Sequence, residues 1–309
     1  MSLYETADKI KSMEIRGAGR IARYAAQALK EHGNGLKPSD LNTFQREMEK
    51  ASEVLLKTRP TAVSLPNAVN IVMREVRAAG TIEDAKEKLT KTADSFIEDS
   101  INSVSKIAEF GSRHIKDGDT ILTHCNSEAA LACIIKAHED GKEIEVFATE
   151  VRPRNQGLIT IKTLNDAGIK TSFIVDSAAR YYMKRVNLAI TGADAITVNG
   201  AVVNKIGTSQ IALCAKESRT PLIVAAETYK FAPKTVSGDL IDIEERPSSE
   251  VLDDSILKDL KNVRVRNPAF DVTPAAYIDL IITEKGAIPP EMAYTIIKEY
   301  LGWKIEEFS

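Results

Sequence analysis

Three kinds of side chain in this sequence stand where they could do chemistry: a thiol, a carboxyl group and a set of cations. Cys125 lies in "THCNSEAALACIIKAHEDG", where a short apolar run gives way to a helical pattern. Asn126 or Ser127 is placed to cap that helix, which carries Glu128 in its first turn. A thiol beside a helix N-terminus has its thiolate stabilised by the helix dipole and can act as a base or nucleophile near neutral pH. A buried structural cysteine is the ordinary alternative. Asp194 follows another run, in "LAITGADAITVNGAVVNKIGT", between Ala193 and Ala195. Desolvation there raises a carboxyl pKa and keeps a proton available for donation, although an Asp in such a place also serves turns and caps.

Cations follow the same logic. Asn204 and Lys205 come downstream of Asp194, and "LIVAAETYKF" delivers Glu227 and Lys230. Two lysines and an arginine near one sheet edge suit an anionic ligand, of which phosphate is the commonest small one. Taken singly, each reads as a solvated surface charge. Arg152 in "EVRPRNQG" and Arg59 in "KTRPTAVSLPN" both precede a proline, which fixes an extended local backbone. That restriction could aim a guanidinium at a ligand, or simply end a helix. His124 adjoins Cys125, but consecutive strand residues point to opposite faces, so the two are not read as a nucleophile pair.

The elements that must carry these groups divide the chain. Up to about residue 117 the apolar positions advance by three and four, as in Leu41, Phe44, Met48, Ala51 and Leu55, with Ser39 or Asp40 available as a cap and Pro60 as a stop. A longer helix is expected from about Ile82 to Ile115. After Gly118 short apolar runs alternate with helical segments: "TILTH", "IEVFATE", "TSFIVD", "LAITG", "LIVAAE" and "YIDLIIT". Continuous apolar strands alternating with helices are what a parallel sheet buried on both faces requires. The expectation is an α/β protein: a helical domain over residues 1–117 and a doubly wound, mostly parallel, Rossmann-like domain over residues 118–309. In such folds ligands sit outside the carboxyl ends of the strands, where Cys125 and Asp194 fall.

One motif points elsewhere at first. Gly17-Ala18-Gly19-Arg20-Ile21-Ala22 fits the G-x-G-x-x-A turn of dinucleotide-binding proteins. That turn needs a strand immediately before it, whereas "ETADKIKSMEI" has helical spacing and "RIARYAAQALKEHG" continues as a helix. No nicotinamide or flavin is therefore expected. What survives is Arg16 and a glycine-rich turn at a helix N-terminus, either an anion site or a plain turn between helices.

Composition bounds the function class. Forty-one Lys and Arg against 44 Asp and Glu give a net charge of −3, which argues against general affinity for nucleic acid. Cys125, Cys133 and Cys214 are widely spaced, with no C-x-x-C and no clustered His to suggest zinc; they read as reduced thiols, the last two within apolar helical runs. The opening "MSLYETADKIKSMEIRG" lacks the apolar run of a signal peptide, and no stretch approaches the roughly 20 apolar residues that span a bilayer. A soluble, cytoplasmic protein is expected, with no nucleic-acid or membrane partner.

The order of the motifs "IRGAG", "TRPTAVSLPN", "THCNS", "EVRPRNQG", "TGADAI", "VNKIGT", "AAETYKF" and "FDVTPAAYID" resembles the superfamily that joins sugar-phosphate aldose–ketose isomerases to the regulatory subunits of translation initiation factor 2B. The resemblance runs over most of the chain. In the isomerases a cysteine and an aspartate do the chemistry, and they map onto Cys125 and Asp194; the exchange-factor subunits typically lack the pair. The methylthioribose 1-phosphate isomerases typically read "RGAPAI" at the first motif, where this chain has "RGAGRIA", as the ribose 1,5-bisphosphate isomerases do. The resemblance thus implies isomerisation of ribose 1,5-bisphosphate to ribulose 1,5-bisphosphate, in an archaeal route of nucleoside monophosphate degradation. It implies that Arg16, Gly17, Ala18, Gly19, Arg59, Ser127, Glu128, Ala129, Asn204, Lys205 and Lys230 bind the substrate. It also implies a homo-oligomer, often a hexamer built from dimers. No metal or redox cofactor is expected. A methylthioribose 1-phosphate isomerase and a non-catalytic regulatory subunit are the alternatives.

Overall fold

The runs with apolar spacing of three and four fold as helices in a computed structural model, which describes residues 1–15, 17–59, 63–237 and 241–301. They are α1 (Leu3–Lys11), α2 (Ala18–Gly35), α3 (Leu41–Leu56), α4 (Ser64–Arg77) and α5 (Ile82–Ser112). Capping sets two of the starts: Ser2 Oγ accepts from Glu5 N–H at 3.2 Å, and Asp40 Oδ1 accepts from Thr43 N–H at 2.8 Å. Ile21, Leu29, Phe44, Met48, Leu65 and Leu89 are buried by these helices, each contributing about 1.5–3 kcal/mol of burial free energy. Close packing needs a glycine at position 33, because a Cβ on Gly33 would lie 2.3 Å from Leu89 Cδ2.

The chain divides into two compact units, the first of which is Met1–Ser103 together with Tyr229–Phe231. That distant tripeptide is held to α4 by Asn67, whose Nδ2 donates to the carbonyls of Tyr229 and Phe231, both at 2.8 Å. Ser100 Oγ donates to the Tyr229 hydroxyl at 3.1 Å.

Val104–Thr228 and Ala232–Ser309 form the second unit. In chain order its elements are β1 (Thr120–His124), α6 (Glu128–Glu139), β2 (Glu145–Thr149), α7 (Gly157–Asp166), β3 (Lys170–Ile174), α8 (Ala179–Tyr182), β4 (Leu188–Gly192), β5 (Ala195–Ile196), β6 (Val202–Lys205), α9 (Thr208–Ser218), β7 (Leu222–Ala225), α10 (Asp254–Leu257), β8 (Phe270–Thr273), β9 (Leu280–Thr283), β10 (Gly286–Ile288) and α11 (Ala293–Tyr300). A seven-stranded sheet has the order β10-β9-β7-β4-β1-β2-β3, parallel except for the antiparallel edge strand β10. All six apolar runs read from the sequence are strands of this sheet. Ile121, Val146, Ile190 and Ile223 pack with Leu131 and Ile134 of α6, and Leu122 packs with Met183, Ile211 and Ala215 in a second core cluster.

From β1 the chain winds outward through β2 and β3, then returns to the other side of β1 with β4 and proceeds through β7 and β9. The strand order therefore reverses between β1 and β4, which is where open α/β sheets bind their ligands. A second sheet, β5-β6-β8, is antiparallel and was not read from the sequence, because strands of two to four residues leave no period to detect.

Candidate active site

Cys125 and Asp194 follow the two strands that flank this reversal. The β1 strand ends at His124, and Cys125 turns the chain with φ +66°, a left-handed conformation that costs a non-glycine residue about 1–2 kcal/mol. Neighbours hold it there: Thr160 Oγ1, from α7, donates to the Cys125 carbonyl at 2.9 Å, and the Cys125 thiol donates to Gln156 Oε1 at 3.5 Å. Ser127 then caps α6, its Oγ accepting from Ala130 N–H at 3.3 Å. Ser127 presses against β4 so closely that a Cβ on Gly192 would lie 2.2 Å from its hydroxyl. Glu128 and Ala129 occupy the first two helical positions, whose amides an α-helix leaves without intrahelical acceptors.

Asp194 sits just past β4, with its N–H bonded to Val203 O at 2.9 Å, which ties it to β6. On β6, Asn204 is buried and donates through Nδ2 to Thr208 Oγ1 at 3.0 Å. Lys205 Nζ lies 4.8 Å from the centroid of the Phe270 ring. Asp271 secures the turn that follows, accepting from Gly207 N–H at 2.8 Å and from the Ser209 N–H and hydroxyl at 3.1 and 2.9 Å.

The thiol senses these groups. Burial pushes Cys125 up to about 11, the Asp194 charge acts in the same direction, and the Lys205 ammonium and the Asn126 N–H oppose them. A place beside a helix N-terminus would by itself lower the thiol's pKa. Desolvation and a neighbouring carboxylate outweigh the helix dipole, and Lys205 is the local cation that opposes them. Cys133 is buried, its thiol donating to the Ala129 and Ile107 carbonyls at 3.2 and 3.4 Å, and a Cβ on Gly111 would lie 2.2 Å from its sulfur. That is a packing role. Burial also pushes up the thiol of Cys214, on α9.

His124 does not pair with Cys125; its ring bonds to Thr149 and to the Ile206 carbonyl. Arg152 belongs to a loop organised by Asp176, whose two carboxylate oxygens accept from Val151 N–H at 2.9 Å and Arg152 N–H at 2.8 Å. The same loop delivers Gln156, and Gly157 closes it, since a Cβ there would lie 2.0 Å from Thr149 O. Asp176, Gln156, Thr160 and Asp271 escaped the sequence reading. Asp176 carried a usable signal, as the polar tip of the "TSFIVD" run.

The other sequence-derived positions belong to the first unit. Gly17, with φ +90°, is the N-cap of α2, Ala18 opens that helix and Gly19 follows it. Ser64 Oγ donates to Ala18 O at 3.2 Å, tying α4 to this turn, and Arg59 Nη1 contacts Met13 Sδ at 3.0 Å. Lys230 is buried within the anchored Tyr229–Phe231 segment. Arg16 lies outside the described residues. Among the described residues no group of three or more His, Cys, Asp and Glu is placed to hold a metal ion, and no helix is long and apolar enough to cross a membrane.

Comparison with known proteins gives the family and the fold. The chain is 56% identical over 302 residues to the ribose 1,5-bisphosphate isomerase of Methanocaldococcus jannaschii, covering 97% of this chain and 95% of that one. It is 57% identical over 304 residues to the enzyme of the same name from Archaeoglobus fulgidus, covering 98% and 95%. Among solved structures, the translation initiation factor eIF-2B of Pyrococcus horikoshii superposes with a TM-score of 0.78 at 33% identity, covering 93% of this chain and 97% of that one. The model of the initiation factor 2 subunit family matches residues 14–290. The chain belongs to the initiation factor 2 subunit family.

Proposed function

We infer that the chain is an aldose–ketose isomerase that converts α-D-ribose 1,5-bisphosphate to D-ribulose 1,5-bisphosphate. The observation that carries this reading is its near full-length identity to the two archaeal isomerases. The thiol and carboxyl group at the β1 and β4 tips fit the reaction, which moves protons and needs no external electron acceptor.

In the substrate the anomeric oxygen is esterified, so the ring opens only if an acid protonates the ring oxygen. Asp194 supplies that proton, leaving an oxocarbenium equivalent at C1 that makes the C2 hydrogen acidic. Cys125 as thiolate removes the C2 proton, giving an enol phosphate with a C1–C2 double bond. Returning that proton to C1 while the C2 hydroxyl gives its proton to Asp194 yields the ketose and restores both groups. The coupling between the two side chains suits the cycle, because a neutral Asp194 relieves the Cys125 thiolate of a repulsive neighbour.

Two phosphates call for cations and free amides. We assign Lys205, Asn204, Ser127 and the Glu128 and Ala129 amides to substrate contacts, and carry over Arg16, Gly17, Ala18, Gly19, Arg59 and Lys230 from the family resemblance. The left-handed Gly17 at the head of α2 supports an anion contact there. We also propose a cytoplasmic homo-oligomer. Phe173 and Val175 on or just past the edge strand β3, with Ile159 and Tyr181 on α7 and α8, are exposed apolar residues that a second copy could cover.

The test is a substrate comparison with the purified protein. Formation of ribulose 1,5-bisphosphate from α-D-ribose 1,5-bisphosphate is expected. Turnover of 5-methylthioribose 1-phosphate instead would overturn the assignment, and binding to a translation GTPase complex with neither turnover would make the chain a regulatory subunit.

A further inference from the structure

The histidine next to the proposed base takes no part in the proton transfers above, yet it is fully enclosed and doubly bonded. His124 Nδ1 lies 2.6 Å from Thr149 Oγ1 at the end of β2, and Nε2 lies 2.9 Å from Ile206 O in the turn between β6 and α9. A carbonyl oxygen can only accept, so Nε2 carries the hydrogen. In the neutral ring Nδ1 is then an acceptor, and the Thr149 hydroxyl donates to it. Burial favours that neutral form by holding the imidazole below its ordinary pKa; the charges acting on it are Asp176, 3.9 Å from Nδ1, with Asp271 and Lys205. Both nitrogens are occupied and the side chain has no exposed surface, so the ring is not a general base.

Its position in the chain gives it another use. The residue after His124 is Cys125, in its left-handed turn, and the residue before Ile206 is Lys205. The ring therefore joins the neighbour of the thiol to the neighbour of the cation that acts on that thiol. The turn is shaped to receive it. A Cβ on Gly207 would lie 3.1 Å from the ring's Cε1 and Nε2, and φ is +103° there, so glycine serves both the approach and the backbone. In β4, beside His124 in register, the buried Thr191 hydroxyl makes no hydrogen bond, so the ring is held by Thr149 and the Ile206 carbonyl.

We propose that His124 is a positioning residue that fixes the separation of the Cys125 sulfur and the Lys205 ammonium by bridging the β1 tip to the β6–α9 turn. The proposal rests on the reading of Cys125 as the base. Its physical ground is that the attraction between two charges falls with distance, and that both groups are half-buried, where solvent screens them less than at an open surface. Loosening the bridge weakens the hold of Lys205 on the thiolate. Asp194 and Asp176, which oppose the thiolate, are unaffected in kind.

The experiment follows the pH dependence of Cys125 alkylation by iodoacetamide, resolved by peptide mass spectrometry so that Cys133 and Cys214 are scored separately. Wild type is compared with His124→Asn, too short to reach Ile206 O, and with His124→Gln, whose amide can still donate there. The Asn variant is expected to raise the Cys125 midpoint by about half a pH unit or more, and the Gln variant to restore most of it. Lys205→Met is expected to raise the midpoint in wild type but to add little in the Asn variant, because one interaction is lost only once. Thr149→Val, which deletes a single hydroxyl at nearly constant shape, is expected to shift the midpoint in the same direction and carries the test should the Asn variant not fold. An unmoved midpoint in the folded variants, or additive effects of His124→Asn and Lys205→Met, would overturn the proposal. Alkylation needs no substrate, so failure of the bisphosphate reading shows in turnover and leaves this measurement intact.

Discussion

Asp194 stands close enough to Cys125 that its charge raises the thiol's pKa, although the two residues are carried by different strands, β4 and β1. Removing that charge has a definite sign. Asp194→Asn should lower the midpoint for Cys125 alkylation, making the thiol more reactive, while isomerase turnover falls by about a hundredfold or more through loss of the acid. A variant in which both change together, with a sluggish thiol and low turnover, would show that Asp194 supports the site structurally and does not act as its proton donor.

Gly192 is a second pressure point. An alanine Cβ would meet the Ser127 hydroxyl at 2.2 Å and Ser127 Cβ at 2.5 Å, so α6 and the Cys125 turn must shift away from β4. Gly192→Ala is expected to reduce turnover at least tenfold, since small misplacements of reacting groups are costly. Circular dichroism close to that of wild type would locate the defect in the site.

Asp271 holds the start of α9 with three accepted hydrogen bonds from Gly207 and Ser209. Asp271→Ala leaves those donors to compete for water or go unpaired, at a cost of about 1–3 kcal/mol. Thermal unfolding should show a Tm lower by several degrees, and an unchanged Tm would contradict the capping role.

Acid stability has an identifiable contributor in Glu250. Burial alone would push its pKa up, but hydrogen bonds from Arg154 and Arg246 bring it down to about 2. A carboxyl group depressed in the folded state stabilises the protein above its unfolded pKa, near 4.5, and loses that contribution as pH falls towards 2. Denaturant unfolding of Glu250→Gln should therefore show a flatter decline than wild type between those limits. Arg154 also belongs to the loop that delivers Gln156 to Cys125, so the same variant is expected to loosen that loop.

The central strands were legible because they are buried on both faces: "TILTH" and "LAITG" are short, largely buried runs, and Cys125 and Asp194 follow them. Ser127 was legible as a cap and Gly17 as a turn, since both depend on local backbone chemistry. What escaped depends on distant partners. Asp176 looks like any residue that ends a strand until it accepts from Val151 and Arg152, and Asp271 acts on a helix that begins 63 residues before it in the chain. The thiol's upward shift escaped for the same reason, because the burial and charge that cause it come from elements far apart in the sequence.

The most direct measurement is turnover of α-D-ribose 1,5-bisphosphate by Cys125→Ser beside wild type, with folding of both verified. A hydroxyl in place of the thiol keeps the shape and is a far weaker acid, so it cannot supply the base. Wild type is expected to form ribulose 1,5-bisphosphate, and the variant at least about a hundredfold less. Equal rates from the two proteins would show that Cys125 is not the base.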